Sequence, residues 1–177
     1  MMYFNSMKIT LRNNAIATEA LEILKTRLAD GFDCDQEYND NPSMRMANDL
    51  VADGKTIKLP KNNGYYFPEN AENVMCELLK YLAENLNGKT FSCVSKNEGE
   101  EDFGEIEAQY KKGVLTTKAT YFPRGYEEYF YCEDCGETVV WMDEYEESET
   151  YICPECGEVL DLSEQKPKVT ENIWKIA

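Results

Sequence analysis

Two pairs of cysteines near the C-terminal end constrain this chain more than any other feature. Each pair has the form C-x₂-C, and 17 residues separate the pairs, which comprise Cys132, Cys135, Cys153 and Cys156. Two thiolates three positions apart can reach one metal ion from a single tight turn, and a second such turn completes a tetrahedron. Gly136 and Gly157 follow the pairs at matching positions, where the chain has to fold back. The spacing therefore predicts a closed metal site with four cysteine ligands.

Both turns resemble the knuckles of the zinc ribbon and rubredoxin-like family, which read C-x-x-C-G and C-P-x-C-G. The matching segments are residues 132–136 and 153–157, and the resemblance covers residues 128–160 only. It implies a β-hairpin module held together by structural Zn²⁺. We place two strands within the 17-residue linker, one at residues 138–143 and one at residues 151–152, on either side of a polar hairpin tip at residues 143–149.

Two other chemistries use the same residue types. A rubredoxin-type iron site also takes four thiolates, but rubredoxins usually place more residues between their knuckles. Two thioredoxin-like redox motifs would each require a C-x-x-C that opens a helix after a strand, which neither pair does. We therefore favour zinc, and the two alternatives stay open.

The chain contains no histidine. A Ser-His-Asp triad, a Cys-His pair and an HExxH metalloprotease motif are therefore excluded. A catalytic zinc keeps an open coordination position, whereas four cysteines would close the site. We expect a protein that is not an enzyme.

The chain has no apolar run approaching the about 18 residues that a membrane span needs. Residues 1–6 also lack the basic and apolar regions of a signal peptide. We expect a soluble, cytoplasmic protein that does not bind membranes. Thiols stay reduced in that compartment, which favours metal binding over disulfides.

Negative charge is concentrated in the second half of the chain. The formal net charge is −16, and residues 125–165 contain 14 acidic residues and no Lys or Arg. Phosphate contacts need basic side chains, so this segment is a poor candidate for binding nucleic acid. Its field favours a protein partner with a basic surface, although solubility alone could also explain the acidity.

Residues 1–122 are predicted to form an α+β domain in which two helices pack on one face of an antiparallel sheet. Leucines and smaller apolar residues recur every four positions in two amphipathic helices, led by Ile16, Ala20, Leu24 and Leu28 and by Val74, Leu78, Leu82 and Leu86. Residues 31–49 are predicted to be a loop, with a short helix or strand near its end. The remaining predicted boundaries are a zinc ribbon at 123–162 and a C-terminal tail at 163–177, which either docks on the fold or on a partner.

The other candidate groups have simpler interpretations. We expect inert buried thiols for Cys34, Cys76 and Cys93. The acidic residues at 33–40 lack the EF-hand pattern for calcium, and those at 98–102 are expected to form a charged turn. We interpret the aromatic residues of segment 121–131 as an interface between the ribbon and the α+β domain.

Three functions follow from these features. The first is a non-enzymatic module that binds a protein partner, in its sharper form an acidic mimic of nucleic acid of the kind that mobile elements use as inhibitors. The second is a nucleic-acid- or transcription-associated zinc-ribbon protein that binds through Lys111, Lys112, Lys118 and Arg124. The third is a small enzyme or electron carrier, for which no catalytic constellation is present. The sequence does not determine the oligomeric state.

Overall fold

The chain divides into two compact units in the computed structural model. The structure describes residues 2–31, 42–59, 65–67, 71–99, 102–123, 129–141 and 143–177. The first unit comprises Met1–Tyr121 together with Val169–Ala177, and the second comprises Phe122–Lys168. The second unit is therefore an insertion between two segments of the first.

The first unit contains a large antiparallel sheet of eight strands. The strands are β1 (Met2–Leu11), β2 (Val51–Asp53), β3 (Thr56–Leu59), β4 (Tyr65–Phe67), β5 (Phe91–Gly99), β6 (Asp102–Lys111), β7 (Val114–Pro123) and β12 (Lys168–Lys175). Their order across the sheet is β12-β7-β6-β5-β1-β3-β2, and β4 also pairs with β1. Three of the six neighbouring pairs along the path are consecutive in the chain, and the β6–β7 hairpin turns at Lys112 and Gly113, which both have positive φ.

Among its described residues, this unit has three α-helices: α1 (Asn14–Ala29), α2 (Pro42–Asp49) and α3 (Ala71–Asn85). The Asn13 side chain caps α1 by accepting a hydrogen bond from Ile16 N at 3.0 Å. The apolar stripe predicted for α1 is buried at Ala20, Leu24 and Leu28, and half-buried at Ile16. The two predicted helices therefore form, and their apolar faces point into the core.

The prediction of two helices is corrected to three, because α2 forms in the segment that was predicted to be a loop with a short helix or strand near its end. Pro42 is its first residue, a position that tolerates the missing N–H. Met46 and Ala47 are buried and contribute to the same apolar core as α1. An eight-residue helix offers too few repeats for its periodicity to stand out, and tertiary burial stabilises it.

The core lies between the helices and one face of the sheet. Alternate residues of β5 and β6 are buried, including Cys93, Ile106 and Ala108, while Val94 and Glu107 between them are exposed. This alternation is expected for a sheet with one covered and one open face. Among the described helices, none is long and apolar enough to cross a membrane.

Residues 169–177 form part of the first unit. Strand β12 lies at one end of the strand order beside β7, and Ile176 N donates to Gly113 O at 2.8 Å. Trp174 and Ile176 pack against the core. The segment for which the sequence left two possibilities thus docks on the fold as a strand.

The second unit is built from two short hairpins. Strand β8 (Tyr129–Tyr131) pairs with β9 (Thr138–Trp141), and β10 (Tyr151–Ile152) pairs with β11 (Val159–Leu160). The sequence predicts one hairpin whose two strands lie within the 17-residue linker, whereas in the structure each of two hairpins closes around one cysteine pair. A short 3₁₀ turn at Ser163–Gln165 follows.

Candidate metal centre

Each cysteine pair lies at the tip of its own hairpin. In the first, Cys132 N donates to Glu137 O at 2.8 Å and Gly136 N donates to Cys132 O at 2.7 Å. The second repeats this pattern with Cys153, Glu158 and Gly157, at 2.9 Å for both bonds. The two tips are therefore copies of one local structure.

The glycine after each pair is required by backbone geometry. Gly136 and Gly157 both have φ of 75°, a left-handed conformation that L-residues with a side chain adopt only at a cost. A Cβ at either position would meet nothing within 4 Å. The need for glycine at these tips is therefore conformational, since no described protein atom crowds either position.

The two tips bring their four thiols together. All four Sγ atoms lie within 4.8 Å of one another, and the closest pairs are Cys135 to Cys153 at 3.4 Å and Cys132 to Cys156 at 3.7 Å. Four sulfurs around Zn²⁺ at about 2.3 Å would be about 3.8 Å apart, whereas a disulfide needs about 2.05 Å. The four cysteines are thus positioned to hold one metal ion.

The first thiol of each pair faces inward and the second faces solvent. Cys132 and Cys153 are buried, whereas Cys135 and Cys156 are exposed. Cys156 N lies 3.5 Å from Cys153 Sγ and donates to it, and this backbone hydrogen bond is the main cause that lowers the pKa of Cys153 to about 7. Backbone N–H groups that point at a sulfur favour the thiolate, which is the form that binds metals.

An aromatic cluster supports the two tips from within the unit. Phe130 is 1% exposed and its ring centroid lies 4.5 Å from that of Tyr145, which stacks on Tyr151 at 5.3 Å. Residues 143–149 were predicted to be a purely polar tip, so Tyr145 is the linker residue whose packing role the sequence analysis missed. The linker is thereby tied to both hairpins.

Two polar residues after the second hairpin complete this support. The Gln165 side chain accepts from Tyr131 N at 3.0 Å and donates to Tyr131 O at 2.7 Å. Lys166 forms an ion pair with Glu147, and its Nζ lies 4.9 Å from the centroid of the Tyr145 ring. The hydrogen bond from Lys166 holds the pKa of the Glu147 carboxyl below its usual range. Residues 163–166, which the sequence analysis assigned to the tail, thus stabilise the cysteine-bearing unit.

Acidic side chains surround the thiols. Asp134 of the first tip and Glu158 of the second approach each other, and the hydrogen bond and repulsion from Asp134 raise the pKa of Glu158. Both are exposed. Like charges this close favour a cation beside them.

The remaining candidate residues lie elsewhere. Cys76 and Cys93 are buried in the first unit, where burial raises both pKa values, that of Cys93 to about 12. Cys34, the acidic residues at 33–40, residues 100–101, and Arg124 and Tyr126 are outside the described residues. Of the predicted charged turn at 98–102, Glu98 belongs to β5 and Asp102 to β6. Among the described aromatics of segment 121–131, Tyr129 packs edge-on against Trp141 within its own unit.

One partly buried polar pair could not be recognised from the sequence. Tyr121 Oη donates to Glu72 Oε2 at 2.5 Å, joining the end of β7 to the first turn of α3. Gly104 makes room for it, since a Cβ there would lie 3.1 Å from the Tyr121 ring. Only the meeting of three distant segments creates this contact.

Comparisons of the chain with protein-family models, with curated proteins and with solved structures find no match. The case for a metal site is therefore the chemistry of its four donor atoms and the distances between them.

Proposed function

We propose that this chain is a non-enzymatic zinc protein whose cysteine-bearing unit, a zinc ribbon formed by residues 129–168, binds a partner protein with a basic surface. The observation that carries the proposal is the convergence of four thiols inside a unit whose exposed charged side chains, among the described residues, are almost all acidic. The metal would supply rigidity to the unit, and the acidic surface would supply the affinity for the partner.

Zinc in a structural role fits the donor set. Four thiolates complete a tetrahedral Zn²⁺ site and leave no position for water or substrate. Cys132 and Cys153 would anchor the ion from the buried side, and the exposed Cys135 and Cys156 would close it. Metal binding of this kind contributes most of the folding free energy of such small units.

The charge around this site has one sign. Four thiolates on one Zn²⁺ carry a net charge of about −2. Among the described residues 129–168, Lys166 and Lys168 are the basic ones, and Lys166 already pairs with Glu147. The exposed acidic residues are Glu133, Asp134, Glu137, Asp143, Glu144, Glu146, Glu147, Glu149, Glu155, Glu158 and Asp161.

Such a surface attracts a basic partner and repels nucleic acid. In its sharper form, the proposal is that the unit imitates the charge of nucleic acid and occupies the basic groove of a protein that handles nucleic acid, as inhibitors from mobile elements do.

Apolar side chains within the acidic surface favour a protein as the partner. Ile152 and Val159 are opposite each other across β10 and β11 and are 57% and 65% exposed. Trp141 is 51% exposed on β9. Protein interfaces combine such apolar contacts with a charged rim, so these residues give the partner something to bind besides charge.

The alternative is a nucleic-acid- or transcription-associated protein that binds through lysines of the first unit. Lys111 and Lys112 lie at the β6–β7 turn and are exposed. Thr116 donates to Gln109 O across that hairpin, which places Lys118 two residues further along, opposite Glu107. The Glu107 carboxylate thus offsets part of the positive charge of these lysines. We therefore favour a protein partner over nucleic acid.

The test is affinity capture from the native host with the full chain as bait, followed by titration of the captured complex with salt. A variant in which Asp143, Glu144, Glu146 and Glu149 become amides should release the partner at lower salt. The matched control neutralises the exposed Glu22, Asp30, Glu84 and Glu107 of the first unit and should bind normally. Equal binding by both variants would contradict the proposal, and a low-salt shift of DNA or RNA that depends on Lys111 and Lys112 would favour the alternative.

A further inference from the structure

Strand β12 ends the sheet of the first unit, and its outer edge pairs with no other described strand. Within a strand, the N–H and C=O of one residue point to the same side, and the next residue points to the opposite side. Ile176 N donates to Gly113 O at the start of β7. By this alternation Asn172 and Trp174 also point to β7, whereas Glu171, Ile173 and Lys175 present their backbone groups to the open edge.

The side chains of β12 fall into the same two sets of alternate residues. Trp174 packs against the core, and Lys80 Nζ lies 5.6 Å from the centroid of its ring. Ile173 is 72% exposed, and the exposed Glu171 and Lys175 flank it two residues away on either side. The strand is therefore fixed by one set of residues and offers the other set to solvent.

We propose that β12 pairs with β12 of a second copy of this chain, antiparallel and about a two-fold axis at Ile173. In this register Ile173 meets its own counterpart, and Glu171 of each copy lies opposite Lys175 of the other. All three positions have outward backbone groups, and hydrogen-bonded pairs exchange both bonds, so the contact would form about six backbone hydrogen bonds. The sheets of the two copies would become continuous.

The residues at the open edge of β12 favour a second copy of this chain as the partner, and they favour the register with the axis at Ile173. Glu-x-Ile-x-Lys is self-complementary under a two-fold axis, the symmetry of the commonest protein dimers. A shift of the axis by one residue places both charges opposite apolar residues (Ile173, Val169 or Ala177), which loses the two ion pairs. A shift by two residues places Glu171 opposite Glu171 or Lys175 opposite Lys175, and like charges directly opposite are unfavourable. The charge of −16 on each chain opposes association over long range, but at about 0.15 M salt the Debye length is only about 8 Å.

Sedimentation equilibrium of the full chain over a concentration series, at about 0.15 M salt, tests the contact. The chain should shift from monomer to dimer as concentration rises. Glu171→Lys and Lys175→Glu should each weaken dimerisation about tenfold, because each turns two attractive cross-strand pairs into repulsive ones. The double variant Glu171→Lys/Lys175→Glu restores both pairs and should dimerise as the parent does. A parent chain that is monomeric throughout, or a double variant no better than the single ones, overturns the proposal.

Two proline substitutions distinguish the loss of the edge contact from the loss of stability of β12 itself. Ile173→Pro removes an outward N–H and a side chain that the core does not use, so it should abolish dimerisation with little change in Tm. Asn172→Pro removes an inward N–H and should lower Tm. Full dimerisation of the Ile173→Pro variant would overturn the proposal as well.

Discussion

Cys135 Sγ lies 3.4 Å from Cys153 Sγ, although the two residues belong to different hairpins. Cys132 Sγ and Cys156 Sγ make the corresponding approach at 3.7 Å. Each hairpin thus contributes one buried and one exposed thiol to a common centre, and neither hairpin has a complete ligand set alone. Removing any one ligand should therefore affect both hairpins.

Replacing Cys135 with Ser should release the metal and unfold residues 129–168, because the remaining three thiolates cannot close the site. Protein purified without added metal should contain about one zinc per chain, and the Cys135→Ser variant should contain almost none. Elemental analysis and near-UV circular dichroism measure both effects. Cys76→Ser, which alters a buried thiol of the first unit, is the matched control and should keep its zinc. Iron in the parent protein would contradict the choice of metal.

The two buried thiols of the first unit should resist alkylation at pH 8. Burial raises the pKa of Cys93 to about 12 and raises that of Cys76, and only the thiolate reacts. In a Cys34→Ser background, a chelator should expose four reactive thiols, and Cys76 and Cys93 should react only in denaturant. Mass spectrometry of the alkylated peptides measures this. Rapid labelling of Cys93 in the native protein would mean that the first unit opens readily.

Replacing Gly136 with Ala should weaken metal binding through backbone strain alone. The left-handed φ of 75° at this position costs a residue with a Cβ about 1–2 kcal/mol, which corresponds to about five- to thirtyfold in affinity. Competition with a chromogenic chelator measures that affinity. Gly88 has the same φ and equally open surroundings, so Gly88→Ala should cost similar stability in the first unit and leave metal affinity unchanged. Equal metal affinities for the Gly136→Ala variant and the parent would contradict this explanation.

Replacing Tyr121 with Phe should destabilise the first unit by about 1–3 kcal/mol, the range for leaving a buried polar group without one of its partners. Glu72 is only 9% exposed, so water cannot readily replace the lost hydroxyl. Urea unfolding of the zinc-loaded protein, followed by far-UV circular dichroism, gives the change in free energy. Tyr81→Phe, on the half-buried surface of α3, is the control and should change stability by less than about 0.5 kcal/mol.

Much of the fold could be predicted where the signal is local and repeats. The four-residue spacing of apolar side chains predicted α1 and α3, because a helix long enough to bury one face must show that period. Helix α2 and the three-residue strands β2 and β4 are too short to carry a period, and pairing with β3 and β1 stabilises the two strands. The end of the chain resembled a tail because six of the eight residues of β12 are exposed.

The amino-acid sequence by itself determined that four thiols could converge and that their surroundings would be acidic. Ligand type, the two-residue gap within each pair and the glycine that follows are all local properties. Only the tertiary structure decided that each pair closes its own hairpin, that Tyr145 and Gln165 support the tips, and that β12 completes the sheet of the first unit. These features depend on contacts between residues far apart in the chain, and side-chain burial and backbone pairing at such distances leave no periodic trace in the sequence.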